Sequence, residues 1–412
     1  MSNHDDPLFF ERLGRLGPSL LLALDALETA KRRLHPPDLE GLRAGLEPIR
    51  SGLVESLEPF AATPFPESTR NFREQLVASA RTTREALDRF LAGDAGPAGL
   101  LEAMHLHCRA QRELYPLRRI LPPIDRFFVE PALREGWKEE DPSPDVKVGL
   151  HRAGKPPPAR GGFSLYVPES YDGASDWPLV VALHGGNGDG SDFLWTWLAE
   201  ARGRRFLLLA PTSAGDTWSM MGPDVDADAI LSMVAYVREH WRVDAERILL
   251  TGLSDGATYT LLLGLRPDSP FTALAPISGV FHPTNLENGN LERARARRIY
   301  LVHGALAWLF PVFLARGARD ALTEAGAELL YREIADLSHT YPREENDAIL
   351  SWFDPDLSLP RSGSAAAPRR ERPYCRAAAS FAANSDRRAG SPGVRVCRVS
   401  GWSLQRGSRC MW

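Results

Sequence analysis

From Gly162 onward the chain repeats one unit, a short continuous apolar run followed by a helical stretch. The runs are "GFSLYVP", "PLVVALHGG", "RFLLLAP", "RILLTGL", "TALAPIS", "RIYLVHG" and "ELLYREI", with stretches such as "DADAILSMVAYVREHW" between them. Unbroken Val, Leu and Ile runs lack the alternation of a half-exposed strand, so they read as strands buried on both faces. Interleaved with helices, they specify an α/β fold built on a mostly parallel sheet covered on both sides. Ligands of such sheets sit at the carboxyl ends of the strands. The residues directly after each run are therefore the candidates for chemistry.

After "RILLT" comes "GLSDG", Gly252 to Gly256, and then the helical stretch "GATYTLLLGL". A G-x-S-x-G by itself is a weak signal. Between a strand and a helix it fits the strained turn that lifts a serine hydroxyl above the sheet, so Ser254 is the candidate nucleophile. A plain strand-to-helix turn is the alternative. After "PLVVAL" comes "HGGNGDG", His184 to Gly190. A glycine loop can aim backbone N–H groups at an anion, and Gly186 with the N–H of Asp255 would form an oxyanion hole. A phosphate loop would need a Lys-Ser/Thr and a helix at that point, and the chain has Ser191-Asp192 instead. His339 follows the last run in "ELLYREIADLSHTYPREEN", well after the serine, where an imidazole can serve as base near neutral pH. A structural histidine is the alternative.

Residues 1–135 have a different pattern. "LFFERLGRLGPSLLLALDALETAKRRL" spaces its apolar residues by three and four, and three further segments repeat this, with Asp38 and Ser68 or Thr69 as N-caps. Four helices with short links suggest a small bundle or cap. "HLHC", His105 to Cys108, suggests a metal site only superficially, because residues two apart on a helix face different ways. Residues 136–160 read as a linker rich in Pro and Gly, 161–356 as the α/β domain and 357–412 as a tail.

Residues 160–354 resemble the alpha/beta-hydrolase superfamily, in particular its phospholipase/carboxylesterase and dienelactone-hydrolase-like branch of small esterases. The resemblance rests on "LHGGNGDG", "APTSAGDTW", "DAERILLTGLSDG", "LVHGALAWLFP" and "LSHTYP", in that order. It implies an alpha/beta-hydrolase sheet with helices on both faces, joined here to an all-helical N-terminal region. It also implies hydrolysis of a carboxylic ester or thioester through an acyl-enzyme. Ser254 would be nucleophile, His339 base, and Gly186 and Asp255 oxyanion donors. The substrate would be a small-molecule ester, and neither a metal nor an organic cofactor is implied.

One position departs from the family pattern. After "LVHG" relatives continue with an aspartate, the third member of the triad, and the matching position here is Ala307. In a serine protease, replacing that acid by its amide lowers turnover by roughly 10^4. Activity is therefore expected to be weak unless Asp216, Asp224 or Glu344, or its neighbour Glu345, substitutes. Loss of the acid also supports a rival reading, an inactive hydrolase-like protein that binds a ligand or partner; an acyltransferase is a third. Trp195, Trp218, Phe281, Trp308 and Phe310 fall near the strand ends and would line an acyl or aromatic pocket, or else pack the core.

Charge separates the tail from the body. Residues 361–412 hold 11 Arg, no Lys and two acids, about +9 of charge, while the other 360 residues carry about -13. An arginine-rich arm can bind nucleic acid, but no recognition module accompanies it, and a disordered or out-of-frame tail explains it better. Four cysteines without framework spacing suit a reducing compartment. The start of the chain shows no signal-peptide pattern and no apolar run is long enough to span a membrane, so a cytoplasmic location is expected.

Overall fold

The computed structural model of the chain describes residues 7–65, 67–92, 96–143, 145–154 and 160–360. The chain divides into two compact units, the first reaching Trp137 and the second spanning Lys138–Arg361. Segment 361–412, the greater part of the expected tail, lies outside the described residues.

The first unit is helical, with α1 (Pro7–Arg32), α2 (Leu39–Ala62), α3 (Arg70–Leu91), α4 (Gly96–Leu114) and the short α5 (Pro122–Phe127). Leu13, Leu16, Leu20, Leu24 and Leu27 recur at three- and four-residue steps and are at most 1% exposed, so α1 buries one stripe. Leu46, Leu53, Leu57 and Phe60 of α2 are fully buried. That burial carries α1 through Pro18 and α2 through Pro48 and Pro59, each of which removes a backbone donor. Asp38 and Thr69 stand at the expected helix starts, yet neither side chain makes a capping bond. His107 is buried, and its Nε2 donates to the Leu24 carbonyl at 3.1 Å, which is helix packing. Among the described residues, no helix is long and apolar enough to cross a membrane.

The second unit is an eight-stranded sheet. Its strands are β1 (Gly149–Ala153), β2 (Phe163–Val167), β3 (Trp177–Leu183), β4 (Leu207–Pro211), β5 (Val243–Leu253), β6 (Ala273–Ile277), β7 (Arg298–Gly304) and β8 (Glu328–Ile334). The order is β1-β2-β4-β3-β5-β6-β7-β8. β2 runs antiparallel to β1 and β4, and every other pairing is parallel. Helices α6 (Gly190–Phe193), α7 (Leu198–Arg204), α8 (Val225–His240), α9 (Asp255–Gly264), α10 (Thr284–Glu287), α11 (Asn290–Arg293), α12 (Val312–Glu324) and α13 (Asn346–Phe353) connect and flank them. β3, β4 and β6 are buried along their whole length, as continuous apolar runs require.

Two sequence-based boundaries shift. Part of the expected linker, Gly149–Ala153, is an edge strand paired with β2. It is mostly exposed, so it carries no apolar run that would mark it in the sequence. Leu357, assigned to the tail, is buried, and its carbonyl accepts from the buried Arg204 guanidinium at 3.0 Å. A buried guanidinium needs acceptors, and Leu357 supplies one beside Asp347, 2.8 Å away.

Candidate active site

The site forms where β3, β5, β7 and β8 end on one edge of the sheet. Ser254 follows β5 directly and precedes α9, with φ 56 and ψ -117. This backbone is strained for a residue with a side chain, and the fold enforces it from both sides. The Ser254 N–H donates to the Ile277 carbonyl at 2.9 Å, and its own carbonyl accepts from the N–H of Thr258 at 3.0 Å. Gly256 leaves no room for any larger residue, since a Cβ there would lie 2.4 Å from the Leu183 carbonyl oxygen. The crossing of β3 and α9 at this point is why the motif needs its second glycine.

His339 lies in the loop after β8. Its Nε2 is 2.9 Å from Ser254 Oγ, although 85 residues separate the two in sequence. The other ring nitrogen, Nδ1, is buried and has no hydrogen-bond partner among the described residues. Burial holds the His339 pKa down to about 4, and nearby His303 adds to this, while Asp255 acts the other way. At neutral pH the ring is therefore uncharged and able to take a proton.

Cross-ties hold the glycine loop against the head of α9. Asn187 N–H donates to the Asp216 carbonyl at 2.6 Å, and Gly188 N–H to the Gly185 carbonyl at 3.1 Å. The Arg160 guanidinium donates to Gly215 O at 2.5 Å, Gly188 O at 2.6 Å and Ser213 Oγ at 3.0 Å. Thr217 Oγ1 donates to Asp255 Oδ2 at 2.6 Å. A Cβ on Gly186 would come within 2.6 Å of that same Oδ2, so Gly186 lies against Asp255. The N–H of Asp255 is in the first turn of α9, where helix geometry offers it no acceptor. His184, at the start of the loop, is a framework residue. Its Nε2 accepts from the Ser213 N–H at 3.1 Å, its carbonyl accepts from Trp218 Nε1 at 2.7 Å, and burial lowers its pKa to about 4.

The loop after β7 carries Ala307, which is 5% exposed. Its Leu306 N–H donates to the Leu337 carbonyl at 2.9 Å, which ties this loop to the one bearing His339. Phe310 packs edge-on against the His339 ring, with centroids 5.1 Å apart.

None of the proposed substitute acids is bonded to His339. Asp224 caps α8 through the Ala227 N–H at 3.0 Å, accepts from the Tyr259 hydroxyl and faces Arg266 at 3.6 Å, so its carboxylate is committed elsewhere. Asp216 is exposed, and its carbonyl serves Asn187. Glu344 is exposed as well. Glu345 accepts from the Tyr300 hydroxyl and the Arg332 guanidinium, both at 3.2 Å.

The aromatic expectations divide. Trp218 is 2% exposed, stacks on Tyr259 and donates from Nε1 to the His184 carbonyl, which ties it into the framework under the glycine loop. Trp195 is buried too. Phe281 is half-buried against the core and Phe310 half-buried beside His339, while Trp308 is 53% exposed. Sequence reasoning missed Arg160, Thr217 and Asp226, whose two oxygens accept from the N–H groups of Ala214 and Ser219 at 2.8 Å. These residues act across loops; Thr217 stands within the quoted "APTSAGDTW", and no local motif marks Arg160 or Asp226.

The strand order, the serine turn after β5 and the histidine after β8 have the arrangement of the alpha/beta-hydrolase fold. No family model matches the chain. A stretch of 123 residues is 32% identical to an oxidized polyvinyl alcohol hydrolase of Sphingopyxis sp. (strain 113P3), covering 30% of this chain and 32% of that protein. A stretch of 128 residues is 34% identical to feruloyl esterase B of Thermothelomyces thermophilus, covering 28% of this chain and 43% of the relative. The chain thus spans about a third to two fifths of the length of these curated relatives. Among solved structures, a thermostable esterase is 22% identical with a TM-score of 0.42, covering 50% of this chain and 62% of its own.

Proposed function

We propose that Lys138–Arg361 is a serine hydrolase that cleaves carboxylic esters or thioesters through an acyl-enzyme. The observation that carries this reading is the 2.9 Å contact between Ser254 Oγ and an uncharged His339 Nε2 at the head of the serine turn. The names of the curated relatives, a hydrolase and an esterase, support it.

In this mechanism Ser254 Oγ attacks the substrate carbonyl carbon while its proton passes to His339 Nε2. The carbonyl π electrons move onto oxygen, and the N–H groups of Gly186 and Asp255 receive the resulting oxyanion. Its collapse expels the alkoxide or thiolate, which takes the proton from His339. Water then attacks the acyl-enzyme by the same sequence, with His339 as base, and releases the carboxylic acid and Ser254. The substrate in this reading is a small ester taken up in a reducing, cytoplasmic setting, with no nucleic acid involved. Hydrolysis of a short-chain p-nitrophenyl ester by the parent, lost in both Ser254→Ala and His339→Ala, is the test.

Ala307 favours a second reading, in which the cleft binds a ligand or partner without turnover. A folded protein that hydrolyses no ester and takes no serine-directed probe fits that reading instead.

A further inference from the structure

Two buried histidine nitrogens, one on His339 and one on His303, lack a hydrogen bond among the described residues, and they are complementary. For Ser254 to donate to His339 Nε2, the proton of the neutral His339 ring must sit on Nδ1, which makes that atom a donor. His303, at the end of β7, places Nε2 2.8 Å from the Phe310 carbonyl. A carbonyl only accepts, so His303 carries its proton on Nε2 and presents a bare lone pair at Nδ1. Both Nδ1 atoms are buried without a hydrogen bond. A buried donor and a buried acceptor left unpaired are each costly, because neither recovers the hydrogen bond it gave up in water.

The fold brings these rings together. Leu306 N–H donates to the Leu337 carbonyl at 2.9 Å, and Ser338 Oγ to the Leu306 carbonyl at 3.4 Å, so the loop after β7 and the His339 loop share a seam. Phe310 touches both histidines, through its carbonyl to His303 and through its ring to His339. The rings are close enough for a charge on His303 to depress the His339 pKa.

We propose that His303 is the positioning residue for His339, its Nδ1 accepting the Nδ1–H of His339 directly or through one water, in place of the carboxylate missing at position 307. This rests on the serine-hydrolase reading of the site. A neutral imidazole fixes the tautomer of His339 without supplying the negative charge that would support an imidazolium. The site is therefore oriented but weakly driven. Ser278 is a rival. The pairing of Ile277 with Val302 places it beside His303, and its buried hydroxyl also lacks a partner.

Two substitutions separate the roles of His303. His303→Gln keeps a donor near the Nε2 position for the Phe310 carbonyl and loses the Nδ1 acceptor. His303→Asn keeps an acceptor near the Nδ1 position and loses the Phe310 tie. Long-range proton–nitrogen NMR of histidine-labelled full-length protein reads the tautomer of His339 without needing turnover, and melting curves confirm folding. We expect His339 to hold its proton on Nδ1 in the parent and in His303→Asn, and to become a tautomer mixture in His303→Gln. Ester turnover should fall about tenfold in His303→Gln with KM little changed, and Ala307→Asp in that background should restore it. An unmoved His339 tautomer in His303→Gln overturns the proposal. So does a shift seen in Ser278→Ala and not in His303→Gln. If the NMR result holds while the parent hydrolyses no ester, the hydrolase reading fails and the positioning of His339 by His303 stands.

Discussion

Ser254 Oγ and His339 Nε2 lie 2.9 Å apart, and the nitrogen on the far side of the same ring is buried without a hydrogen bond among the described residues. In the proposed hydrolase this pair moves the serine proton, and the family resemblance expects at position 307, where Ala307 stands, the acid that would support the resulting imidazolium.

Ala307→Asp should raise short-chain ester hydrolysis at least about tenfold, and by up to roughly 10^3, by giving His339 an anionic partner. The gain should disappear in the Ala307→Asp, Ser254→Ala double variant, since the acid acts only through the nucleophile and base. Position 307 is 5% exposed, so a carboxylate that failed to reach His339 would destabilise the loop, and circular dichroism must show equal folding. A folded Ala307→Asp protein no faster than the parent contradicts the account.

The acid limb of kcat/KM should report His339. Burial lowers its pKa to about 4, and only the neutral ring can accept the serine proton, so activity should persist through mildly acidic pH and fall near that value. Ala307→Asp favours the charged ring and should move the limb upward, toward the ordinary imidazole value of about 6.5. A parent limb already at that ordinary value means that the ring is not desolvated in solution.

Stability should follow the same sign. His184 and His339 are both held to about 4 in the folded state, below the value of about 6.5 for an unfolded histidine. The unfolded chain therefore binds more protons between these values. Stability is full above about 6.5 and is lost as pH falls toward 4. Melting temperatures measured across that window should drop steadily, and a flat profile contradicts the burial of these rings.

Gly256→Ala should destabilise the α/β unit by about 2–4 kcal/mol or prevent folding, because the new Cβ would press on the carbonyls of Leu183 and His184 at 2.4 and 2.5 Å. Chemical denaturation checks this. A neutral effect would mean that α9 can move away from β3 at the serine turn.

A fragment beginning at Lys138 should fold without the helical unit and give a cooperative melt, since the whole sheet and the Ser254–His339 pair lie beyond that point. Starting at Lys138 also retains Glu139, which meets the buried Arg202 at 3.0 Å. An insoluble fragment from an otherwise soluble protein would show that the two units depend on each other.

Much of this was legible in sequence because it is encoded locally. The apolar runs of β3 to β8 and the GLSDG turn identify themselves by composition and spacing. β1 does not, because an exposed edge strand needs no apolar run. The roles of Thr217, Arg160 and Asp226 were hidden because each bonds a loop distant in sequence. Asp224 looked available as a spare acid until Tyr259 and Arg266 were seen to occupy it. His303 looked like part of a strand, and the proposed role for it rests on its unbonded buried nitrogen and on Phe310, which touches both histidines.

The most direct test of the central claim is reaction of the folded full-length protein with a fluorophosphonate probe, followed by peptide mapping. The account predicts a single modified residue, Ser254, labelled slowly in the parent, faster in Ala307→Asp and not at all in His339→Ala. Folded parent protein left unlabelled at Ser254 under conditions that label a control serine hydrolase would contradict it.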